Sequence, residues 1–202
     1  ISGETIDYGP CAMMNQFDLD TVFSSIDHQG RYAFGNQPNI ANWNCARLAE
    51  SLLPLFKNEQ QALSLLSSAV NSFAEKFNHA FTTMWRRKLG LLDEHDDNQA
   101  LVTELLTLMQ QNNLDYTNTF NALTESLLAD FALPDSIKGW AAKWRVRTSA
   151  ESYDIMRAVN PAVIPRNHNI EMILAEYEKT GCSSMLNGFL SVLSKPYVYD
   201  QQ

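Results

Sequence analysis

The residues with the clearest chemical potential stand at the start of the chain, in the stretch ETIDYGPCAMMNQFD. A short run that reads as a strand, Glu4-Thr5-Ile6, delivers Asp7 to its end, and Tyr8, Gly9 and Pro10 follow. Strand, acid, aromatic, glycine is the layout of a D-F-G element. There the carboxylate coordinates Mg²⁺ on nucleotide phosphates, while the glycine permits a backbone turn that other residues resist. The same letters also spell a common Asp-x-Gly-Pro turn, and spacing alone leaves both readings open.

Other candidates are weaker. Asp93, His95, Asp97 and Glu104 fall at positions one, three, five and twelve of an EF-hand register. Asn98 stands where that loop needs glycine, histidine is a poor Ca²⁺ ligand, and Ala100 occupies the aliphatic position, so the run reads as an acidic, solvated start to a helix near Asn98. His28, His79, His95 and His168 have no metal-ligand spacing with one another or with cysteine, which makes each a structural residue. Ser183-Ser184, after Cys182, has no visible partner base and reads as a helix start. Gly-rich phosphate loops and the GxSxG elbow are absent from the sequence.

Such residues need elements to hold them, and the 202-residue sequence, 45% apolar, supplies helices. Residues 9–39 are polar and broken by Gly30, Gly35 and Pro38, as in an ordered loop region. A helix is expected from Ile40 until Pro54–Lys57. Beyond it, Ala62, Leu66, Ala69, Val70, Phe73, Phe77, Ala80, Phe81, Met84 and Trp85 step by three and four, which predicts one long amphipathic helix. Gly90 closes it, with Arg86, Arg87 and Lys88 in the last turn where cations offset the carbonyl end of the dipole. Two stripes, Leu101, Leu105, Leu108, Met109 and Phe120, Leu123, Leu127, Leu128, Phe131, predict a helical hairpin capped by Asp115 or Thr117. Shorter helices follow around 140–146, 149–159, 169–179 and 184–193, bounded by proline or glycine. Arg166-Asn167-His168 reads as a capped helix start.

The fold class is therefore mostly α with one vestigial N-terminal strand. The formal charge of −8 repels phosphate backbones and argues against nucleic acid, and no run of eighteen apolar residues exists to span a membrane. Cys11, Cys45 and Cys182 are odd in number and widely spaced, as expected of reduced thiols. The opening at Ile1, inside what reads as a strand, is expected of a piece of a longer protein.

Beyond these local readings, GETIDYGPCAMM, SIDHQGRYAFGNQPNIANWNCARLAESLLPL, LLTLMQQNNLDYTNTFNAL, NPAVIPRNHNIE and FLSVLSKPY resemble consecutive blocks of the selenoprotein O family, in order and along the whole chain. The resemblance implies the C-lobe remainder of a protein-kinase-like fold with an atypical, pseudokinase-type site, plus a helical C-terminal extension. It implies transfer of AMP from ATP to Ser, Thr or Tyr hydroxyls of proteins, with Asp7 as ligand to Mg²⁺ or Mn²⁺ beside the nucleotide. Residues 1–39 would then hold the metal-binding turn and an activation-segment-like loop, and 40–202 the helical remainder. The catalytic base, the second metal ligand and the phosphate-contacting Lys and Arg would lie upstream of Ile1, so this chain alone is expected to be inactive. Cys182-Ser183-Ser184 mimics the family's C-terminal Sec/Cys tail in letters but falls within a helical block, so no redox role is carried to it. The implied partners are ATP and protein substrates, in the cytoplasm of a bacterium or in mitochondria for a eukaryotic parent. The competing reading is a non-catalytic helical interaction or scaffold domain in which DYGP is a turn.

Overall fold

The structure is a computed structural model that describes residues 13–198 apart from Glu94, Asp96 and Asp130. Asp7, its tetrad, Cys11 and the expected N-terminal strand lie outside the described residues. Nine α-helices account for most of what is described, with two short 3₁₀ turns at Phe34–Asn36 and Leu53–Leu55. Extended pairing among the described residues is a single antiparallel bridge, Gln16 to Asp115. None of the described helices is long and apolar enough to cross a membrane.

The chain divides into two compact units, whose described parts are residues 19–83 and residues 13–18 with 84–198. In the first, Asp27 accepts the backbone N–H groups of Arg31 and Tyr32, both at 2.8 Å, and Gly30 takes φ +64° to close the turn. Gly35 donates its N–H to Leu19 O at 2.8 Å. α1 (Gln37–Leu52) then starts three residues earlier than the apolar period announces, because Pro38 in its first turn needs no backbone donor there. It packs on α2 (Glu59–Asn71), which Asn58 caps by accepting from Gln61 N.

The single long helix expected from Ala62 to Trp85 is instead two, α2 and α3 (Phe73–Lys88), interrupted at Ser72. The Ser72 hydroxyl donates to Ala69 O at 2.8 Å, the local competition by which serine loosens a helix ladder. The period survives the interruption, since Ser72 keeps helical dihedrals and the rings of Phe73, Phe77 and Phe81 stack in succession at 5.9 and 5.5 Å.

The second unit builds the deep core. α3 closes on Gly90 at φ +62°, with Leu91 N–H returning to Arg86 O and Gly90 N–H to Arg87 O. A Cβ at Gly90 would lie 2.7 Å from Ser152 Cβ, so the glycine serves both the left-handed turn and the close approach of α7 (Ala150–Val159). α4 (Asn98–Gln111) and α5 (Tyr116–Glu125) form the expected hairpin, and Asp115 caps α5 by accepting from Asn118 N at 2.8 Å. Asn113 takes the left-handed position between them at φ +50°.

The second stripe runs out early. α5 ends at Glu125, Ser126 turns its hydroxyl to Leu123 O, and Leu128 and Phe131 are left 67% and 50% exposed rather than buried. α6 (Asp135–Arg145) sends Trp140 Nε1–H to Leu101 O and Trp144 Nε1–H to Leu89 O, each at 2.8 Å, with the two indoles stacked 5.8 Å apart. Buried indoles usually find such acceptors. α8 (Asn167–Thr180) and α9 (Ser184–Leu193) complete the chain.

Candidate functional site

The chain that leaves the DYGP tetrad enters the described structure at Met13, and its first six described residues lie on the second unit. Phe17 is the anchor. It is 1% exposed, its ring stacks on Tyr116 at 5.9 Å, and its N–H donates to Leu114 O at 2.9 Å. Tyr116 N–H answers by donating to Asn15 O at 2.7 Å, so residues 15–17 lie antiparallel to the turn that starts α5. Gln110 Nε2 adds a bond to Asp18 Oδ1 at 2.9 Å. Burial pushes the Tyr116 phenol well above its ordinary range, so it stays a neutral packing group.

Arg166 organises this contact. Its Nη1 and Nη2 donate to the two oxygens of Asp115 at 2.7 and 2.9 Å, a bidentate pair with both side chains mostly buried. Nη1 also reaches Asn15 Oδ1, and Nη2 reaches Asn118 Oδ1 at 3.2 Å. The next residue, Asn167, accepts Met13 N–H at 3.2 Å. Arg166 was expected to open a capped helix. It is the residue before α8, but no side chain caps that helix, and its guanidinium is turned instead to the segment behind the tetrad. The reason is chemical: a guanidinium carries only N–H donors and cannot accept the backbone N–H groups that open a helix, so it donates instead to the Asp115 carboxylate within its reach. Spacing could not announce this, because Asp115 and Arg166 are 51 residues apart.

Lys88 also departs from its expected role as a dipole-facing cation. Its ammonium is partly buried, donates to Asn160 Oδ1 at 2.9 Å and sits 4.4 Å from the Phe120 ring centre. Desolvation lowers its pKa to about 8. Asn160 returns a bond to Lys88 O at 2.9 Å and another to Thr124 Oγ1 at 3.2 Å, completing a buried polar knot.

The EF-hand register is not assembled as a cage. Asp93 faces Arg147 at 3.4 Å, His95 Nδ1 accepts the Asp97 backbone N–H at 3.2 Å, and Glu104 is engaged by Lys143 at 2.7 Å. Among the described residues no group of three or more His, Cys, Asp or Glu could hold a metal ion. His79 and His168 are exposed on α3 and α8, and His28 lines a cleft of about 710 Å³ in the first unit with Asp27, Arg31 and Tyr32. Cys45 and Cys182 are free thiols; Cys182 is exposed beside the Ser184 hydroxyl at 3.3 Å, which holds its thiol pKa below the usual range. Ser183 stands immediately before α9 at the helix start the sequence predicts, but its hydroxyl makes no cap bond and accepts from Asn187 Nδ2 at 3.3 Å.

Compared with known proteins, the chain matches the family model described as Protein adenylyltransferase SelO over residues 1–194. It is 60% identical to the Protein nucleotidyltransferase YdiU of Pseudoalteromonas translucida, over 98% of this chain and 42% of that protein. It is 48% identical to the protein of the same name from Geobacillus kaustophilus, over the whole chain and 44% of the relative. A third, from Alkaliphilus metalliredigens, is 45% identical over the whole chain and 43% of its own length. The chain thus spans less than half of the curated relatives it matches.

Proposed function

The chain belongs to the protein adenylyltransferase SelO family, and on that premise we propose that it is part of an enzyme that transfers AMP from ATP to Ser, Thr or Tyr hydroxyls of proteins. What supports the reading is one observation: the match to the family model is continuous from residue 1 to residue 194 and so takes in the DYGP tetrad as well as the helices. In this reading the fold is the helical portion of a kinase-like C-lobe with its extension. Residues 1–39 carry the metal-binding turn and the loop after it, and 40–202 are the helical body. The parent of such a bacterial-type chain works in the cytoplasm on ATP and protein acceptors.

Asp7 is the metal ligand of this proposal. A carboxylate oxygen is the donor that Mg²⁺ or Mn²⁺ takes, but the described residues add no cluster to complete a site. The metal would be held by Asp7, by nucleotide phosphates and by a ligand from outside this chain. When bound, it would neutralise charge on the phosphates as the α-phosphoryl group moves. The general base also lies outside the chain, so residues 1–202 alone should not transfer AMP. Positioning of ATP requires several groups at once, and one carboxylate does not replace them.

The test uses labelled ATP, Mg²⁺ and a protein acceptor with three proteins: the full-length parent, its Asp7→Ala variant and this chain alone. Label should appear with the parent. It should fall by about a hundred- to a thousandfold in the variant, the rate equivalent of losing a metal-held charge contact, and be absent with the chain alone. Undiminished transfer by Asp7→Ala would remove Asp7 from the site, and transfer by the chain alone would place the machinery within these residues. A parent without transfer would return the chain to the scaffold reading.

A further inference from the structure

We propose that the cleft of about 710 Å³ in the first unit is a docking site for an acidic segment of a partner protein, in which a Glu or Asp side chain is flanked by apolar residues. The proposal concerns residues 19–43 alone, all within that unit, and does not depend on the metal role given to Asp7.

One turn builds the cleft. Asp27 accepts the backbone N–H groups of Arg31 and Tyr32, one on each carboxylate oxygen, and Asn36 Nδ2 donates to Arg31 O at 2.8 Å. Both backbone groups of Arg31 are therefore bonded, which fixes the root of its side chain. Its guanidinium carbon sits 4.6 Å from the centre of the Trp43 ring on α1. Among the described residues of this unit no carboxylate pairs with that guanidinium. A guanidinium stacked on an indole keeps its N–H donors in the plane of the fork, where they can meet the two oxygens of a carboxylate.

Charge selects an anion. The chain carries −8 overall, yet this cleft presents an arginine without a counter-charge, because the carboxylate of Asp27 is occupied by backbone donors. Such a local field draws an acidic group against the repulsion of the whole. The remaining surface selects a protein as its source. Phe23 and Ile26 give the cleft apolar walls, with the Tyr32 phenol and the His28 imidazole beside them. Ile26 is 83% exposed and Tyr32 52%, and Leu19 and Val22 on the same stretch are exposed as well. Apolar groups gathered in this way mark an interaction surface, and Arg, Tyr and Trp are the side chains that anchor protein interfaces. A free phosphate or carboxylate would use the guanidinium but leave Phe23 and Ile26 in water, whereas a peptide covers both with one chain. The turn is already formed, so binding need not order it.

The experiment titrates short fluorescein-labelled peptides into the full-length parent without nucleotide and reads fluorescence anisotropy. Each peptide has a central Glu, Gln or Lys, flanked either by Leu and Phe or by Gly alone. The Glu peptide with apolar flanks should bind about tenfold tighter than its Gln and Lys counterparts and than the Gly-flanked Glu peptide. Arg31→Ala should weaken it by about tenfold, and Arg31→Lys should restore part of the loss, since an ammonium keeps the charge without the fork. Ile26→Ser, at a position too exposed to disturb folding, should weaken it by about threefold and carries the test should Arg31→Ala perturb the turn. Lys57→Ala removes the same charge from an exposed position outside the cleft and should leave binding unchanged. Equal binding of the Glu, Gln and Lys peptides, or parental affinity in both Arg31→Ala and Ile26→Ser, would overturn the proposal. Competition by free glutamate or inorganic phosphate at the peptide's own affinity would overturn it too, by making the cleft a small-anion site. A dimer in sedimentation velocity that Arg31→Ala dissolves, without peptide binding, would give the cleft to a second copy. None of these outcomes bears on label transfer by Asp7→Ala, so failure here leaves the adenylyl-transfer reading standing.

Discussion

The two units of the chain bury very different kinds of side chain. Among residues 19–83 the buried apolar side chains are Ala33 and Ala62, although α2 and α3 carry strong helical periods and a ladder of stacked phenylalanines. The second unit buries Phe17, Trp85, Phe120, Trp140 and Trp144 within a shell of Leu, Ile and Met, and bonds its α6 indoles to backbone carbonyls. A period of 3.6 tells which residues share a face; it does not tell how deeply that face is covered. The first unit holds its shape with turns and stacked cations, such as the Asp27 turn and Arg31 over Trp43, and the second with packed volume. Removing volume should therefore cost far more in the second.

The largest expected effect follows from that. Phe120 is 1% exposed between Trp85, at 5.8 Å, and Tyr116, at 5.0 Å. Phe120→Ala should cost about 3–5 kcal/mol in a denaturant titration, through lost transfer energy and an unfilled cavity. Phe77→Ala, in the half-buried ladder of the first unit, should cost about 1–2 kcal/mol. Equal losses at the two sites would erase the contrast.

The next effect is electrostatic and is confined to the second unit. Lys88 has its folded pKa lowered from 10.5 to about 8 by burial. The unfolded chain then binds more protons between those values, so stability should rise as pH climbs from about 8 toward 10.5 and be lost as pH falls back through 8. The ceiling is about 3 kcal/mol by linkage. Comparing unfolding free energies at pH 7.5 and 10 for the parent and Lys88→Met isolates the contribution, because the variant should lose this part of the slope. A slope unchanged by the substitution would show that Lys88 keeps its water.

How far these features could be read from the residues depends on the range of the forces involved. The stripe Leu101, Leu105, Met109 and the cap at Asp115 are local, and each stands where its spacing places it. Gly90 is legible for the same reason, since a glycine after Arg86-Arg87-Lys88 closes a helix by rules that span a few residues. The break at Ser72 is local too, yet serine is tolerated within helices often enough that its hydroxyl bond to Ala69 leaves no mark in the pattern. Leu128 and Phe131 continue a stripe only if the helix continues, and α5 stops before them. The Arg166–Asp115 pair and the Lys88–Asn160 knot join residues 51 and 72 apart, so no period could reveal them. The metal role proposed for Asp7 comes from the D-F-G-like layout of its neighbours, which left a turn open as well, and from the resemblance, and its tetrad lies outside the described residues.

Gly90→Ala sharpens the comparison from the backbone side. The substitution asks an L-residue to hold φ +62° and places a Cβ 2.7 Å from Ser152 Cβ and 3.0 Å from Ser152 O, where the Ser152 hydroxyl also donates to Gly90 O at 2.6 Å. Left-handed strain and overpacking together should cost about 2–3 kcal/mol. Gly30→Ala in the first unit shares the sign of φ, at +64°, but its Cβ would meet only ordinary contacts at 3.7 Å. Its cost should be the strain alone, about 1 kcal/mol. Thermal melts of the two variants separate conformational strain from crowding.

The smallest effect tests what holds the first unit. Arg31 lies 4.6 Å from the centre of the Trp43 ring and Arg47 lies 5.3 Å from it, while Trp43 itself is 46% exposed. At such exposure a cation over an indole contributes about 0.5–1 kcal/mol, and with two cations sharing one ring, removal of either leaves the other. Arg31→Ala should therefore destabilise by no more than about 1 kcal/mol, and Arg31→Lys by less, because a lysine keeps the charge but loses the flat stacking surface. Global denaturation is a blunt probe of so small a change, so the measurement is native-state hydrogen exchange of the α1 amides, which reports local opening. Faster exchange confined to α1 and the 27–36 turn would show that stacked cations stabilise this unit locally. Faster exchange reaching α5 and α6 would mean that the first unit and the tryptophan core of the second unfold as one, and the contrast between them would then be one of composition rather than of stability.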